Sequence, residues 1–235
     1  MRISTKNEGQ PEERIVQYNK LRLSRYGATS LHLHIVGLGD STTAGTPGFM
    51  SPLEAPPNGL GNPESQYGYW MMKAHPEWIV LNRGIDGQRT DEILARFQHD
   101  VLQEKPEYVI ILAGVNDIYQ AVASEPIMKN LAEMYQMALS ARIKPIAATI
   151  LPYNTASAAE SNAVSEINRW IYKTATELTI PFCDTNLAVR EPRNPTRLIS
   201  SPDENHPDVE GYRKIGEALA KTIDRDLSYR KPRGA

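Results

Sequence analysis

Residues 31–41, LHLHIVGLGDS, alternate polar and apolar side chains and then turn apolar before a Gly-Asp-Ser stop. The pattern predicts a buried strand running directly into a turn, the first strand of a core. Four further short apolar runs follow, Trp78 to Leu81, Tyr108 to Ala113, Pro145 to Ile150 and Ile180 to Cys183, of the kind found in buried parallel strands. Helix-spaced apolar residues fill the intervals at Tyr67 to His75, Thr90 to Glu104, Pro126 to Arg142 and Ala158 to Leu178, and Pro207 to Leu227 reads as a closing helix. Strands alternating with helices imply an α/β fold whose parallel sheet is covered on both faces. All strand C-termini then lie along one edge, where sites form.

Composition sets the outer bounds. The 235 residues are 40% hydrophobic and 23% charged, ordinary for a globular domain, and one domain is expected over residues 31–227. Residues 1–30 are polar and read as an N-terminal extension with a short helix over Pro11 to Arg25, and 228–235 as a C-terminal tail. A formal charge of -2 and a pI of about 6.2 give no basic field for a phosphate backbone, which argues against nucleic acid as a partner. The single cysteine, Cys183, excludes an intrachain disulfide framework and reads as buried. No run resembles a signal peptide or reaches the length of a membrane span, so the expectation is a cytoplasmic protein without stable membrane insertion. Residues 46–63 hold five prolines and read as a long loop beside the predicted first turn, shaping a substrate pocket.

Four distant segments fall at the site edge: Gly39-Asp40-Ser41, Asn82-Arg83-Gly84, Gly114-Val115-Asn116-Asp117 and Asp203-Glu204-Asn205-His206. Ser41, Gly84 and Asn116 follow the first three strands, and His206 precedes the last helix. Serine-based ester hydrolysis needs a nucleophilic hydroxyl, an imidazole to take its proton, a carboxylate to orient the imidazole and donors for the oxyanion. Ser41, His206, Asp203, the Gly84 N–H and the Asn116 amide match those needs. His206 stands out among five histidines because Asp203 precedes it by three residues, within reach across a turn. Pro207 biases His206 towards an extended backbone and suits a first helical position. His32 and His34 alternate within a strand, and His75 and His99 lie near helices without an acidic partner at a suggestive spacing; these four read as structural or exposed. Taken singly, each segment also reads as a turn or cap: Ser41 as a polar turn residue, Gly84 as a turn glycine, Asn116 as an Asx turn with Asp117 capping the next helix, Asp203 and Asn205 as a capping loop.

In these four blocks, GDSTTAG (39–45), NRGIDGQRT (82–90), GVND (114–117) and DENH (203–206), the chain resembles the SGNH hydrolases, the GDSL-type esterases and lipases. The resemblance spans about Leu31 to Leu227 and departs from the family name at Thr42, where leucine is usual. It implies a three-layer α/β/α sandwich of flavodoxin-like type with a five-stranded parallel sheet. It also implies Ser41 as nucleophile, an Asp203–His206 pair, and an oxyanion hole from the Ser41 N–H, the Gly84 N–H and the Asn116 amide. The expected substrate is a small-molecule acyl ester or thioester of small to medium acyl groups, with no cofactor and no metal. Within the class, an acylated sugar, a lysophospholipid, a thioester and a simple ester all stay open, a carbohydrate O-acetyl esterase among them. Tyr67, Tyr69, Trp70, Tyr119 and Tyr153 suit a sugar platform, an acyl pocket or the core. The arrangement differs from the G-x-S-x-G nucleophile elbow. The competing class is a non-catalytic binding module on the same fold. A phosphate binder is disfavoured because Asp40 puts an acid at the loop that would cradle the anion.

Overall fold

The computed structural model describes residues 32–48 and 62–230. Five strands, β1 (Leu33–Gly39), β2 (Trp78–Gly84), β3 (Tyr108–Leu112), β4 (Lys144–Ala148) and β5 (Phe182–Cys183), form one parallel sheet in the order β2-β1-β3-β4-β5. Around them lie α1 (Ser41–Ala44), α2 (Tyr67–Ala74), α3 (Thr90–Ala95), α4 (Val115–Tyr119), α5 (Ser124–Ser140), α6 (Ala158–Leu178), α7 (Thr185–Val189) and α8 (Val209–Arg230).

Successive strand side chains point to opposite faces, so one sheet feeds two cores. Val36, Leu38, Val109 and Ile111 meet Ile93, Leu131, Met134, Ile167 and Ile171 from α3, α5 and α6, together with Phe97 just after α3. Ile35, Ile110 and Ile146 meet Tyr67, Met71, Tyr212, Ile215 and Leu219 from α2 and α8. The expected three-layer architecture with five parallel strands is what the chain adopts. Cys183 is buried, and burial pushes its thiol up to about 11.

Several element boundaries differ from the sequence pattern for identifiable reasons. β2 runs through Gly84 rather than stopping at Leu81, because its polar end is satisfied: Arg83 pairs with Glu104 at 2.5 Å and Asn82 Nδ2 donates to Thr43 O at 2.7 Å. The helix expected over Thr90 to Glu104 breaks after α3 into a π-helical turn, Gln98–Leu102, which leaves both Phe97 and Val101 fully buried. The last helix starts at Val209, not Pro207, because the Asp208 carboxylate accepts from Gly211 N at 2.8 Å and caps it there; it runs past Leu227 to Arg230. α1, α4 and α7 are too short to show an apolar period. The expected helix over Pro11 to Arg25 and residues 49–61 of the proline-rich loop lie outside the described residues.

Strand register fixes the site edge. Gly39 pairs with both Gly84 and Leu112, so the chain leaves β1, β2 and β3 at one level. The turn after β1 therefore faces the loops after its two neighbours.

Candidate active site

Ser41 is the first residue of α1, and the Asp40 carboxylate caps that helix by accepting from Thr42 N at 3.0 Å. An N–H in a first helical turn has no intrahelical acceptor, so that of Ser41 is available by position. His206 Nε2 lies 2.8 Å from Ser41 Oγ across 165 residues of chain. His206 Nδ1 lies 2.6 Å from Asp203 Oδ2, while Asp203 Oδ1 accepts from the backbone N–H groups of Asn205 (3.0 Å) and His206 (2.8 Å). Three residues predicted from two distant segments thus form one hydrogen-bonded line, as a serine–imidazole–carboxylate array requires.

The two carboxylates beside this line are tuned oppositely. Burial acts to raise the Asp203 carboxyl, but its hydrogen bonds from the His206 ring and from two backbone N–H groups outweigh it, and the group titrates below the usual range. Asp203 therefore stays ionised next to the ring. Asp40 is enclosed, and desolvation lifts it to about 6 against the bond from Thr42 and the field of His206.

The serine and imidazole open onto a cleft of about 320 Å³. Its walls include Leu112, Val115, Ile150 and Leu151, with Asn116 and Gly87 on the polar side. One Asn116 Nδ2 hydrogen is committed to Gln88 O at 3.0 Å, which ties the loop after β3 to the loop after β2. An amide nitrogen carries two hydrogens, so a second stays available.

Gly84 requires a correction. It does not line the cleft; its N–H donates to Asn82 Oδ1 at 2.9 Å, and a Cβ there would collide with Ala44 N in the backbone of α1. Its lack of a side chain lets α1, the helix that begins with Ser41, rest on β2. The neighbouring Gly87 lines the cleft with φ of 74°, a left-handed conformation that favours glycine, and a Cβ there would meet nothing. Spacing alone does not distinguish the two glycines of NRGIDG; strand register does.

Arg96 is a positioning residue that the sequence did not reveal. Nη2 donates to Gly39 O at 2.8 Å, just before the Asp40–Ser41 turn; Nη1 to Arg83 O at 2.9 Å; and Nε to Gln88 Oε1 at 2.7 Å, while Asp100 pairs with the guanidinium. One side chain joins the Asp40–Ser41 turn to the loop carrying Gly87. Asp117, expected to cap the helix after it, instead holds Thr90 N at 2.8 Å and Thr90 Oγ1 at 2.6 Å with its carboxylate and so caps α3.

The remaining expectations sort by burial. Tyr67 belongs to the core, its hydroxyl reaching Thr43 Oγ1, and Trp70 Nε1 donates to Glu64 O. Tyr119, 65% exposed, and Tyr153 line the cleft in an edge-to-face pair 6.4 Å apart. His75 and His99 do have acidic neighbours: His75 contacts Glu77 and Asp224 while stacking on Trp78, and His99 contacts Asp100. Asp224 comes from α8, beyond what local spacing reveals; neither ring lines the cleft. From the proline-rich loop, Thr46 lines the cleft and its hydroxyl donates to Asp86 at 2.9 Å.

Residues 38–214 match the model of the GDSL-like lipase/acylhydrolase family. The chain belongs to that family. It is therefore an ester hydrolase of GDSL type. Among similar sequences, the acetylxylan esterase of Geobacillus stearothermophilus is 28% identical over 160 residues, 61% of this chain and 71% of that protein. The uncharacterized lipoprotein YqeF of Bacillus subtilis is 37% identical over 79 residues, 31% of this chain; the match spans only 32% of YqeF. Among solved structures, a putative lipolytic protein of the G-D-S-L family from Desulfitobacterium hafniense superposes with a TM-score of 0.68 at 27% identity, covering 81% of this chain and 99% of that one. The Geobacillus acetylxylan esterase Axe2 gives 0.65 at 21% identity over 83% and 96%, a likeness of fold. Among the described residues no helix is long and apolar enough to cross a membrane.

Proposed function

We propose that the chain hydrolyses small acyl esters of saccharides through an acyl-enzyme formed on Ser41. The observation that carries this reading is the unbroken line Asp203 Oδ2, His206 Nδ1, His206 Nε2, Ser41 Oγ, opening onto the cleft. His206 takes the hydroxyl proton as Ser41 Oγ attacks the carbonyl carbon. The tetrahedral oxyanion receives hydrogen bonds from the Ser41 N–H, the free Asn116 amide hydrogen and the Gly87 N–H, which takes the place expected of Gly84. Collapse expels the alcohol, protonated by His206, and water repeats the sequence on the acyl-enzyme. Asp203 keeps the imidazole in the required tautomer and offsets its charge once protonated.

Three observations support a small acyl group on a sugar. The cleft volume sits at the low end of ligand pockets, about 300–1,000 Å³. Tyr119 offers an exposed aromatic face at its mouth, and the Geobacillus relative is named an acetylxylan esterase. The test is turnover of p-nitrophenyl acetate, a lengthening acyl series and acetylated xylo-oligosaccharides. Acetyl esters are expected to turn over fastest, with activity lost in Ser41→Ala. A folded wild type without turnover overturns the reading in favour of a binding module, and a preference for long acyl chains overturns the substrate class.

A further inference from the structure

The catalytic cleft is not the largest concavity. A groove of about 670 Å³ lies on the other side of Pro152 and Tyr153, and both residues line both cavities. The strand end leading into this wall is tied at Ile150, whose N–H donates to Asn168 Oδ1 at 2.7 Å and whose carbonyl accepts from Asn168 Nδ2 at 2.8 Å and Asn186 Nδ2 at 2.9 Å. A ligand reacting at Ser41 and longer than the small cleft has this groove as its neighbouring space.

The groove has a definite chemistry. Tyr172, 58% exposed, stands edge-to-face on Phe182 and supplies an aromatic surface. Arg190, half-buried, and Arg169, exposed, also line it. The arginine ion pairs among the described residues are those of Arg83, Arg89, Arg96 and Arg213, so neither groove guanidinium has a carboxylate partner there. The groove's own acid, Asp184, spends Oδ1 on Thr149 Oγ1 and Leu187 N. Two cations against one committed carboxylate leave a net positive recess beside an aromatic face, and a guanidinium fork suits the paired oxygens of a carboxylate or phosphate.

Resting on the esterase reading, we propose that this groove binds the alcohol portion of the substrate and that this portion carries an anionic group recognised by Arg190 and Arg169. The smaller cleft takes the acyl group; the larger groove takes what leaves. The shared ligand chemistry is an oxyanion on a hydroxylated scaffold, supplied by a uronate on a saccharide or by a phosphate ester.

The experiment compares kcat/KM within matched pairs: acetylated xylo-oligosaccharides with and without a glucuronate branch, and monoacetylglycerol with and without a phosphate. The charged member of one pair is expected to be favoured about tenfold, the size of one charge-assisted contact, and that pair names the source of the anion. The preference should fall towards unity near 1 M salt, where the Debye length is about 3 Å. In Arg190→Gln the charged-to-neutral ratio should drop about tenfold, with Arg169→Gln in the same direction. Because the readout is a ratio within one protein, partial loss of folded enzyme cancels. Equal rates in both pairs, or a ratio unmoved by both variants, overturns the proposal. Failure to hydrolyse p-nitrophenyl acetate at all would instead strike the esterase reading on which it rests.

Discussion

The proposed nucleophile and its proposed base are held in place by different means. Ser41 is itself nearly enclosed and is positioned from a distance: Arg96 grips Gly39 O, Asn82 grips Thr43 O, and Gly84 lets α1 rest on β2. His206, on a loop after Ser201, is set by short-range bonds, three of them from backbone or ring groups to the Asp203 side chain within three residues. The first region depends on the whole sheet. The second is set chiefly within its own turn, with two ties to the segment after β4: Asn154 N donates to Glu204 O at 2.6 Å and Thr155 Oγ1 to Asn205 Oδ1 at 2.6 Å. The carboxylates follow the same division, Asp40 raised by burial and Asp203 lowered by hydrogen bonding.

Substitutions on the base side should therefore cost activity without costing the fold. His206→Ala is expected to lower kcat on p-nitrophenyl acetate by about three orders of magnitude or more while the melting temperature stays close to wild type. The same change at His32, His34, His75 or His99 should leave turnover in the wild-type range. An essential histidine among those four would break the comparison at its root.

Asn116 lies between the two behaviours, since it both donates to Gln88 O and faces the cleft. Asn116→Ala should reduce kcat by ~10²–10³ with KM little changed, because a preorganised donor acts where charge develops. Asn116→Asp should be worse, as it replaces a donor with an acceptor-only negative group. Were Asp the milder replacement, Asn116 would serve its turn alone.

On the nucleophile side the cost should appear first in stability. Gly84→Ala forces a Cβ against the backbone of α1 and should destabilise by about 1–3 kcal/mol in denaturant melts. A neutral effect would mean that α1 does not rest on β2 as described. A smaller, pH-dependent effect is expected at Asp40. A buried acid whose folded pKa is about 6 against 3.8 unfolded makes no difference to stability below about pH 4 and lowers it progressively as pH rises towards 6. Asp40→Asn, which keeps an acceptor for Thr42 N, should gain about 1–2 kcal/mol over wild type at pH 8 and lose that advantage near pH 4. A gain that is constant with pH would show that ionisation is not its cause.

The same division explains how much could be read from the sequence. The five apolar runs predict the parallel sheet because a strand buried on both faces must be apolar throughout. The Asp203–His206 pair is legible because its geometry is local to one turn. Ser41 and Asn116 are legible through their places after strands. Gly84 is not: whether its N–H or that of Gly87 faces the cleft depends on how far β2 extends beside β1 and on where the Asn82 side chain turns. Arg96 is equally silent, since beyond Asp100 its acceptors are two backbone carbonyls and a glutamine, the farthest of them 57 residues back along the chain.

The most direct test of the site is a crystal structure of the enzyme inactivated with a small alkyl fluorophosphonate. One adduct is expected, on Ser41 Oγ, with the phosphonyl oxygen about 2.7–3.1 Å from Ser41 N, Gly87 N and Asn116 Nδ2. An adduct on any other residue, or a phosphonyl oxygen held by Gly84 N with Gly87 turned away, would contradict it.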